Sequence, residues 1–297
     1  MTCYSPLEAW RLDDGSISFN PRYRLGFERL SLPCGQCIGC RLERSRQWAI
    51  RCVHEAQLWR DNCFITLTYD PSHLPADGSL CLRHWQLFMK RLRKKFGSNI
   101  RFFHCGEYGE KFSRPHYHAC LFNFSPPDKV LFKTVNGFNL YLSKSLEELW
   151  GKGFVTIGDV TFESAAYVAR YVLKKVTGNR AADYYSFVDS DGVVRLRRPE
   201  YVTMSRRPGI ASGWYDKFSG DVFPSDQVII RGRPMRPPRF YDNKLKAFDP
   251  EMWDEVSFSR FETAQKHLDN SSPQRLAVRH EVQRARLSKL PRLLEKA

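Results

Sequence analysis

Two histidines separated by one residue are the first residues whose types and spacing suggest chemistry. His116 and His118 flank Tyr117 in a segment, 116–122, that predicts a β-strand. Side chains alternate across a strand, so both imidazoles should leave one face, with their Cα atoms roughly 7 Å apart, while Tyr117 points into the core. Two imidazoles in this arrangement can bind one cation.

Carboxylates lie close by in the sequence, in Gly106-Glu107-Tyr108-Gly109-Glu110. Glu107 is the expected third ligand, and Glu110 is close enough to exchange with it. Two histidines and one carboxylate leave coordination positions open, which suits an exchangeable divalent ion. The alternative interpretation is a pair of exposed strand histidines without a ligand role.

Two tyrosines four residues apart form the second pattern. Tyr167 and Tyr171 fall in a predicted helix, 163–175, where residues four apart share a face. Lys174 follows on that face, and Lys175 stands beside it. A tyrosine hydroxyl, with a pKa near 10, is a poor nucleophile unless a cation or a metal assists it. Core packing of both aromatic rings remains the alternative.

A cysteine cluster forms the third pattern. Cys34, Cys37 and Cys40 have a spacing that can wrap thiolates around one ion, and Cys3 is the natural fourth ligand. A structural zinc site is the leading interpretation. An iron–sulfur cluster and reduced surface thiols are the alternatives. Three other cysteines occupy apolar positions and are expected in the core: Cys52, Cys63 and Cys120.

The elements that must position these residues alternate between strands and helices. The sequence predicts strands over 62–69, 100–104, 116–122 and 153–160, and helices over 41–60, 82–96 and 146–150. This order predicts an α+β fold, with helices against a central antiparallel sheet. The first forty residues read as irregular, 231–239 as an extended basic loop, and 250–296 as a polar helical end.

Four segments follow as the expected domain organisation. They are a Cys-rich segment at 1–40, a catalytic domain at 41–180, its basic extension at 181–240, and a helical, charged appendage at 241–297.

Composition restricts the partners. The 297 residues carry a net charge of +15, so an anionic partner is expected, with nucleic acid the first candidate. No apolar stretch is long enough to span a membrane, and no signal peptide is visible, so we expect an intracellular protein. Nine cysteines favour a reducing compartment. The arginines expected to contact DNA phosphates, unless they are merely solvated, are Arg44, Arg46, Arg206 and Arg207. Trp214 and Tyr215 could stack on bases, although core packing is the simpler interpretation.

Three of these motifs occur in an order that resembles the HUH endonuclease superfamily of rolling-circle replication initiators, in its two-tyrosine branch. They are the strand Phe64-Ile65-Thr66-Leu67-Thr68-Tyr69, then Pro115-His116-Tyr117-His118, then the helix with Tyr167 and Tyr171. The chain is most similar to the initiation proteins of microviruses, particularly the gokushovirus group. Their similarity extends to Cys34-Gly35-Gln36-Cys37-Ile38-Gly39-Cys40-Arg41, to Cys105-Gly106-Glu107-Tyr108-Gly109-Glu110 and to Met204-Ser205-Arg206-Arg207-Pro208-Gly209-Ile210, and it covers residues 1–213.

The resemblance implies a ferredoxin/RRM-like HUH endonuclease fold and a mechanism. Mg²⁺ or Mn²⁺, held by Glu107, His116 and His118, would polarise a phosphate of single-stranded origin DNA. One tyrosine attacks, leaving a 3′-hydroxyl and a 5′-phosphotyrosyl bond, and the second later cuts the regenerated origin so that a circle is closed without ATP. Lys174 would assist. A host helicase and polymerase are the implied partners, in the cytoplasm of the host bacterium.

Two other functions fit parts of the sequence. Another HUH enzyme, such as a single-strand transposase or a relaxase, would share the histidines. The length of the chain, the tyrosine spacing and the N-terminal cysteines disfavour it. A non-catalytic protein that binds single-stranded nucleic acid would share only the basic charge.

Overall fold

The computed structural model describes residues 3–109, 112–135, 137–171, 180–188 and 191–289, with all side chains except those of residues 170, 171 and 180. These residues cluster into two compact units. Ser45–Tyr241 form the larger unit. The described residues up to Arg44 form the smaller one together with those from Asp242 onward.

The elements follow one another along the chain in mixed order. The strands are β1 Leu7–Arg11, β2 Ile17–Ser18, β3 Glu28–Leu32, β4 Asn62–Thr68, β5 Arg101–Tyr108, β6 Pro115–Phe122, β7 Val130–Val135, β8 Phe138–Leu142, β9 Val155–Gly158, β10 Ser186–Val188, β11 Val194–Leu196, β12 Tyr201–Met204, β13 Val228–Ile230 and β14 Arg233–Met235. The helices are α1 Ile38–Gln57, α2 Leu82–Phe96, α3 Lys144–Trp150, α4 Phe162–Tyr171, α5 Arg180–Tyr185, α6 Ser212–Val222, α7 Arg239–Phe248, α8 Pro250–Gln265 and α9 Pro273–Ser288.

The smaller unit contains a three-stranded antiparallel sheet in the order β2-β1-β3. The expectation that the first forty residues are irregular is therefore wrong for this part of the chain. The strands leave little pattern in the sequence because they are short and mostly exposed, with Ala9 and Trp10 the buried pair of β1. The helical end is confirmed by α8 and α9.

The larger unit is built on one antiparallel sheet of seven strands, in the order β12-β5-β6-β4-β9-β8-β7. Helices flank it, which confirms the predicted α+β class. The register of the central strands matters for the site. Glu107 of β5 lies opposite His116 of β6, and Thr66 of β4 lies opposite His118.

The two faces of this sheet bear different layers. Helices α2 and α3 cover one face, where Trp85, Phe88 and Trp150 form a core with the fully buried Tyr117. Tyr117 therefore points into the core, as its place in the strand predicts. Helices α1 and α4 lie on the other face, where the Trp48 ring stacks on Phe103 at 4.8 Å between centroids. His118 contacts α4 on this second face.

Strand β5 is longer than the sequence pattern indicates. The pattern predicts an end at residue 104, but the strand continues to Tyr108, so Glu107 is a strand residue rather than part of a connection. Gly106 misleads because glycine weakens strand patterns. Here it has a packing reason, since a Cβ at this position would lie 2.9 Å from Cε1 of Tyr201 on β12.

Other boundaries shift less. Helix α1 begins at Ile38, inside the cysteine motif, rather than at residue 41. The segment predicted as an extended basic loop contains β14, which pairs with β13 in a hairpin. Among the described residues, no helix combines the length and the apolar character that crossing a membrane requires.

The core under α2 generates a stability prediction. Phe88 is fully buried, whereas Phe132 on the edge strand β7 is 56% exposed. Phe88→Ala should lower the free energy of unfolding by about 3–5 kcal/mol because it leaves a cavity. The matched change Phe132→Ala should cost under about 0.5 kcal/mol. Denaturant unfolding followed by tryptophan fluorescence measures both. Equal losses would contradict the assignment of this core.

Candidate active site

The structure brings Glu107, His116 and His118 together on one face of the sheet. Oε1 of Glu107 lies 2.8 Å from Nε2 of His116 and 2.8 Å from Nε2 of His118. One ligand atom from each residue lies within 4.8 Å of the others. Glu107 is almost wholly buried, His118 is buried, and His116 is half-buried, so the group opens to solvent on one side.

Both imidazoles are held from behind. Nδ1 of His116 lies 3.0 Å from the carbonyl oxygen of Arg114, and Nδ1 of His118 lies 2.9 Å from Oγ1 of Thr66. A carbonyl oxygen only accepts, so the proton of a neutral His116 is on Nδ1 and its Nε2 is a lone pair. This orientation of the ring nitrogens is the one that metal-bound histidines adopt.

The residues present fit a divalent cation. A lone pair on Nε2 of neutral His116 would face a carboxylate oxygen at 2.8 Å, which is repulsive unless a positive charge is shared between them. A metal ion or an added proton supplies that charge. Two imidazole nitrogens and one carboxylate oxygen are also a donor set that Mg²⁺, Mn²⁺ and related ions accept with positions left open.

The charge state of Glu107 suits this role. Burial raises the pKa of the Glu107 carboxyl, but hydrogen bonds from His116 and His118 outweigh it and hold the pKa at about 2. The carboxylate is therefore ionised at neutral pH, as a metal ligand must be.

Tyr167 reaches the same group from α4. Its hydroxyl donates to Oε1 of Glu107 at 3.3 Å, and its ring meets the His118 ring edge to face at 5.0 Å. Phe64 of β4 packs against both rings. The side chain is 5% exposed, so packing and proximity to the histidines occur together rather than as alternatives.

Two contacts fix the position of α4. Oγ of Ser45 donates to the carbonyl oxygen of Ala166 at 3.0 Å. Near the start of the helix, the Arg231 guanidinium donates to both carboxylate oxygens of Glu163, one of them at 2.6 Å from Nη2. These contacts hold the helix at the edge of the histidine face.

Part of the expected nucleophile helix lies outside the described residues. The backbone of α4 reaches Tyr171, one turn beyond Tyr167, but the Tyr171 side chain is not among those described. Lys174 and Lys175, the predicted assisting cations, and Glu110, the alternative ligand, also lie outside.

The other predicted site residues are spread over the molecule. Sulfur atoms of Cys3, Cys34, Cys37 and Cys40 form a separate group within 4.8 Å of one another. Cys52, Cys63 and Cys120 are all buried, as predicted for core residues. Trp214 and Tyr215 are also buried, where they stack around Tyr241.

The four predicted DNA-contacting arginines differ in their surroundings. Arg46 donates to the carbonyl oxygen of Arg236 at 2.7 Å, so it also fixes the local chain. Arg44 is exposed beside Gly35. Arg206 and Arg207 are exposed and line a cleft of about 780 Å³ with Arg101 of β5.

Comparisons with known proteins agree with this site. The family model for the replication-associated protein ORF2 matches residues 62–176, which include β4, β5, β6 and the described part of α4. The chain is 35% identical over 267 residues to replication-associated protein VP4 of Bdellovibrio phage phiMH2K, covering 85% of this chain and 80% of that one.

Two further relatives resemble it. Replication-associated protein ORF2 of Spiroplasma virus 4 is 32% identical, over 83% of this chain and 81% of the relative. Replication-associated protein ORF4 of Chlamydia phage 1 is 31% identical, over 72% of this chain and 53% of the relative. The chain belongs to the family of phage replication-associated proteins. This membership confirms the resemblance to phage replication initiators. No solved structure matches the chain.

Sequence reasoning missed the residues that hold the two histidines in place. Thr66 and the Arg114 carbonyl act on the far side of each ring, and Phe64 stacks on His118. Thr66 and Phe64 lie on the same strand face, two residues apart, so their parity was visible. The register of β4 against β6, which brings them to His118, was not.

The hydroxyl of Thr66 generates a prediction for metal binding. Thr66→Val should weaken Mn²⁺ binding about 10- to 100-fold, because the residue that orients a ligating histidine is lost. Thr68→Val is the matched control, since Oγ1 of Thr68 donates to the Phe154 carbonyl at 3.2 Å and not to a histidine. Calorimetric titration with Mn²⁺ measures both. Unchanged affinity in Thr66→Val would show that this contact does not orient the site.

Proposed function

We propose that this protein is a site-specific endonuclease and strand transferase that initiates rolling-circle replication of a single-stranded DNA phage. The carrying observation is the convergence of Tyr167, Glu107, His116 and His118 within one group of contacts. The family membership supplies the biological setting, which is phage replication.

The chemistry is an exchange of one phosphoester for another. The Tyr167 oxygen forms a bond to the scissile phosphorus, the bond from phosphorus to the 3′ oxygen breaks, and the tyrosine proton is balanced by the proton gained by the 3′-hydroxyl. The 5′-phosphotyrosyl linkage keeps the bond energy, so the later rejoining requires no ATP. Glu107, His116 and His118 would hold Mg²⁺ or Mn²⁺, which when bound neutralises charge on the phosphate.

The protein's own residues set the geometry of attack. The Tyr167 hydroxyl is held by its hydrogen bond to Glu107 and by edge-to-face contact with His118. Such positioning replaces a bimolecular encounter by a step within one complex. Tyr171 follows one helical turn later, so it is the proposed second nucleophile, with Lys174 the proposed assisting cation.

The cleft beside Arg101 is the proposed path for the DNA strand. Arg101 and Glu107 belong to the same strand face, about 20 Å apart by strand rise. Arg101 donates to Glu55 at 2.5 Å and to the Pro208 carbonyl at 2.8 Å, which holds the cleft wall. Arg206, Arg207 and Lys217 are exposed at this cleft, where phosphates of a single strand can contact them.

Covalent adduct formation tests the nicking chemistry. The protein is incubated with a labelled single-stranded oligonucleotide from the phage origin and Mn²⁺, and adducts are resolved on a denaturing gel. The wild type should form an adduct, and Tyr167→Phe/Tyr171→Phe should bind the oligonucleotide without forming one. Tyr184→Phe, which alters an exposed tyrosine, is the control and should react normally. An adduct with the double variant, or a wild type that only shifts the oligonucleotide, would contradict the proposal and favour a binding protein.

Salt dependence tests the strand path. The double variant Arg206→Gln/Arg207→Gln should bind a single-stranded oligonucleotide more weakly, with a slope of log affinity against log salt that is smaller by about 1.4, about 0.7 per lost phosphate contact. Lys94→Gln/Lys95→Gln removes the same charge from α2, on the opposite face of the sheet, and should leave the slope nearly unchanged. Fluorescence anisotropy at several salt concentrations measures both, and equal slopes would exclude this path.

A further inference from the structure

The four clustered cysteines have the geometry of a filled metal site. Their sulfur atoms lie within 4.8 Å of one another, and Sγ of Cys37 lies 3.8 Å from Sγ of Cys3. In a tetrahedral site with zinc–sulfur bonds of about 2.3 Å, neighbouring sulfurs are about 3.8 Å apart. Cys3 and Cys40 are buried, and Cys34 and Cys37 are half-buried.

Backbone amides point at these sulfurs. The amide of Cys34 donates to Sγ of Cys3 at 3.3 Å, that of Cys37 to Sγ of Cys34 at 3.2 Å, and that of Tyr4 to Sγ of Cys37 at 3.3 Å. Neutral thiols are weak acceptors, whereas thiolates accept amide hydrogens readily. Three amides directed at three sulfurs therefore indicate thiolates, and four crowded thiolates need a cation.

The loop between the ligands is shaped for this turn. Gly35, in Cys34-Gly35-Gln36-Cys37, has a φ of +72°, which glycine adopts without strain. The conformation brings the Cys37 amide back to the Cys34 sulfur. Nη2 of Arg44 lies 3.7 Å from where a Cβ of Gly35 would stand, so a positive charge is at hand to offset excess thiolate charge.

The smaller unit also has little other means of stabilisation. Besides the cysteines, its described residues bury few apolar side chains: Ala9, Trp10, Leu245, Val256 and Leu276. A unit with so small a core commonly relies on a disulfide or a metal. The sulfurs of Cys3 and Cys34, 31 residues apart, are brought together here without a disulfide.

We propose that Cys3, Cys34, Cys37 and Cys40 bind one Zn²⁺ in a closed, structural site that joins the N-terminus to the start of α1. Four thiolates complete the tetrahedron and leave no position for a substrate, which separates this site from the open group of Glu107, His116 and His118. An iron–sulfur cluster inserts several atoms between its thiolates, so the sulfurs here are too close for one.

Metal content of the purified full-length protein is the first measurement. Elemental analysis should find about one equivalent of zinc, and Cys34→Ser/Cys37→Ser should lose it. Cys81→Ser is the matched control, because Cys81 is half-buried and lies outside the cluster. His116→Ala/His118→Ala should keep the zinc, which distinguishes this site from the candidate active site.

The wild-type protein provides a second readout in case the cysteine variants fail to fold. Titration with an organomercurial should release zinc in step with modification of the clustered thiols. Growth with Co²⁺ should give the intense visible absorption of tetrahedral cobalt thiolate, and this spectrum should persist in the histidine variant. Zinc below about half an equivalent, iron in its place, or cobalt absorption lost with the histidines would overturn the proposal.

Discussion

The convergence of three ligand atoms on one sheet face is the constraint on which the rest of the site depends. Strand alternation places His116 and His118 on that face, and the β5–β6 register adds Glu107 opposite His116. The carbonyl of Arg114 and the hydroxyl of Thr66 then fix the ring nitrogens. Because both imidazoles are held from behind, their Nε2 atoms face a buried carboxylate at a distance that calls for shared positive charge. The sheet pre-forms the site before any substrate arrives.

The sequence predicted this much because strand and helix periodicity are local properties. His116 and His118 share a face at any register, and Tyr117 must then be buried. Residues further apart were harder. Glu107 was placed in a connection because Gly106 interrupts the strand pattern, and only Tyr201 on β12 explains that glycine. Thr66 became visible only through the pairing of β4 with β6. The short strands β1–β3 carry too few buried residues to produce a pattern.

The two proposed metal sites use different chemistry for different ends. Imidazole and carboxylate on a rigid sheet leave room for a phosphate and favour an exchangeable ion, whereas four thiolates close around zinc and favour permanence. Helix α1 begins within the cysteine motif, at Ile38. Further along the same helix, Ser45 donates to the carbonyl of Ala166 on α4. One element of the chain thus takes part in both the proposed structural site and the support of the Tyr167 helix.

The central claim is that a tyrosine of α4 becomes covalently bonded to DNA at the Glu107, His116 and His118 group. Mass spectrometry of the trapped adduct tests this most directly, after nuclease trimming and proteolysis to a peptide that carries a residual nucleotide. We expect the nucleotide on Tyr167 or Tyr171, joined through a 5′ phosphate, and no labelled peptide when His116 and His118 are both replaced by alanine. A nucleotide on any other residue, or joined through a 3′ phosphate, would contradict the account.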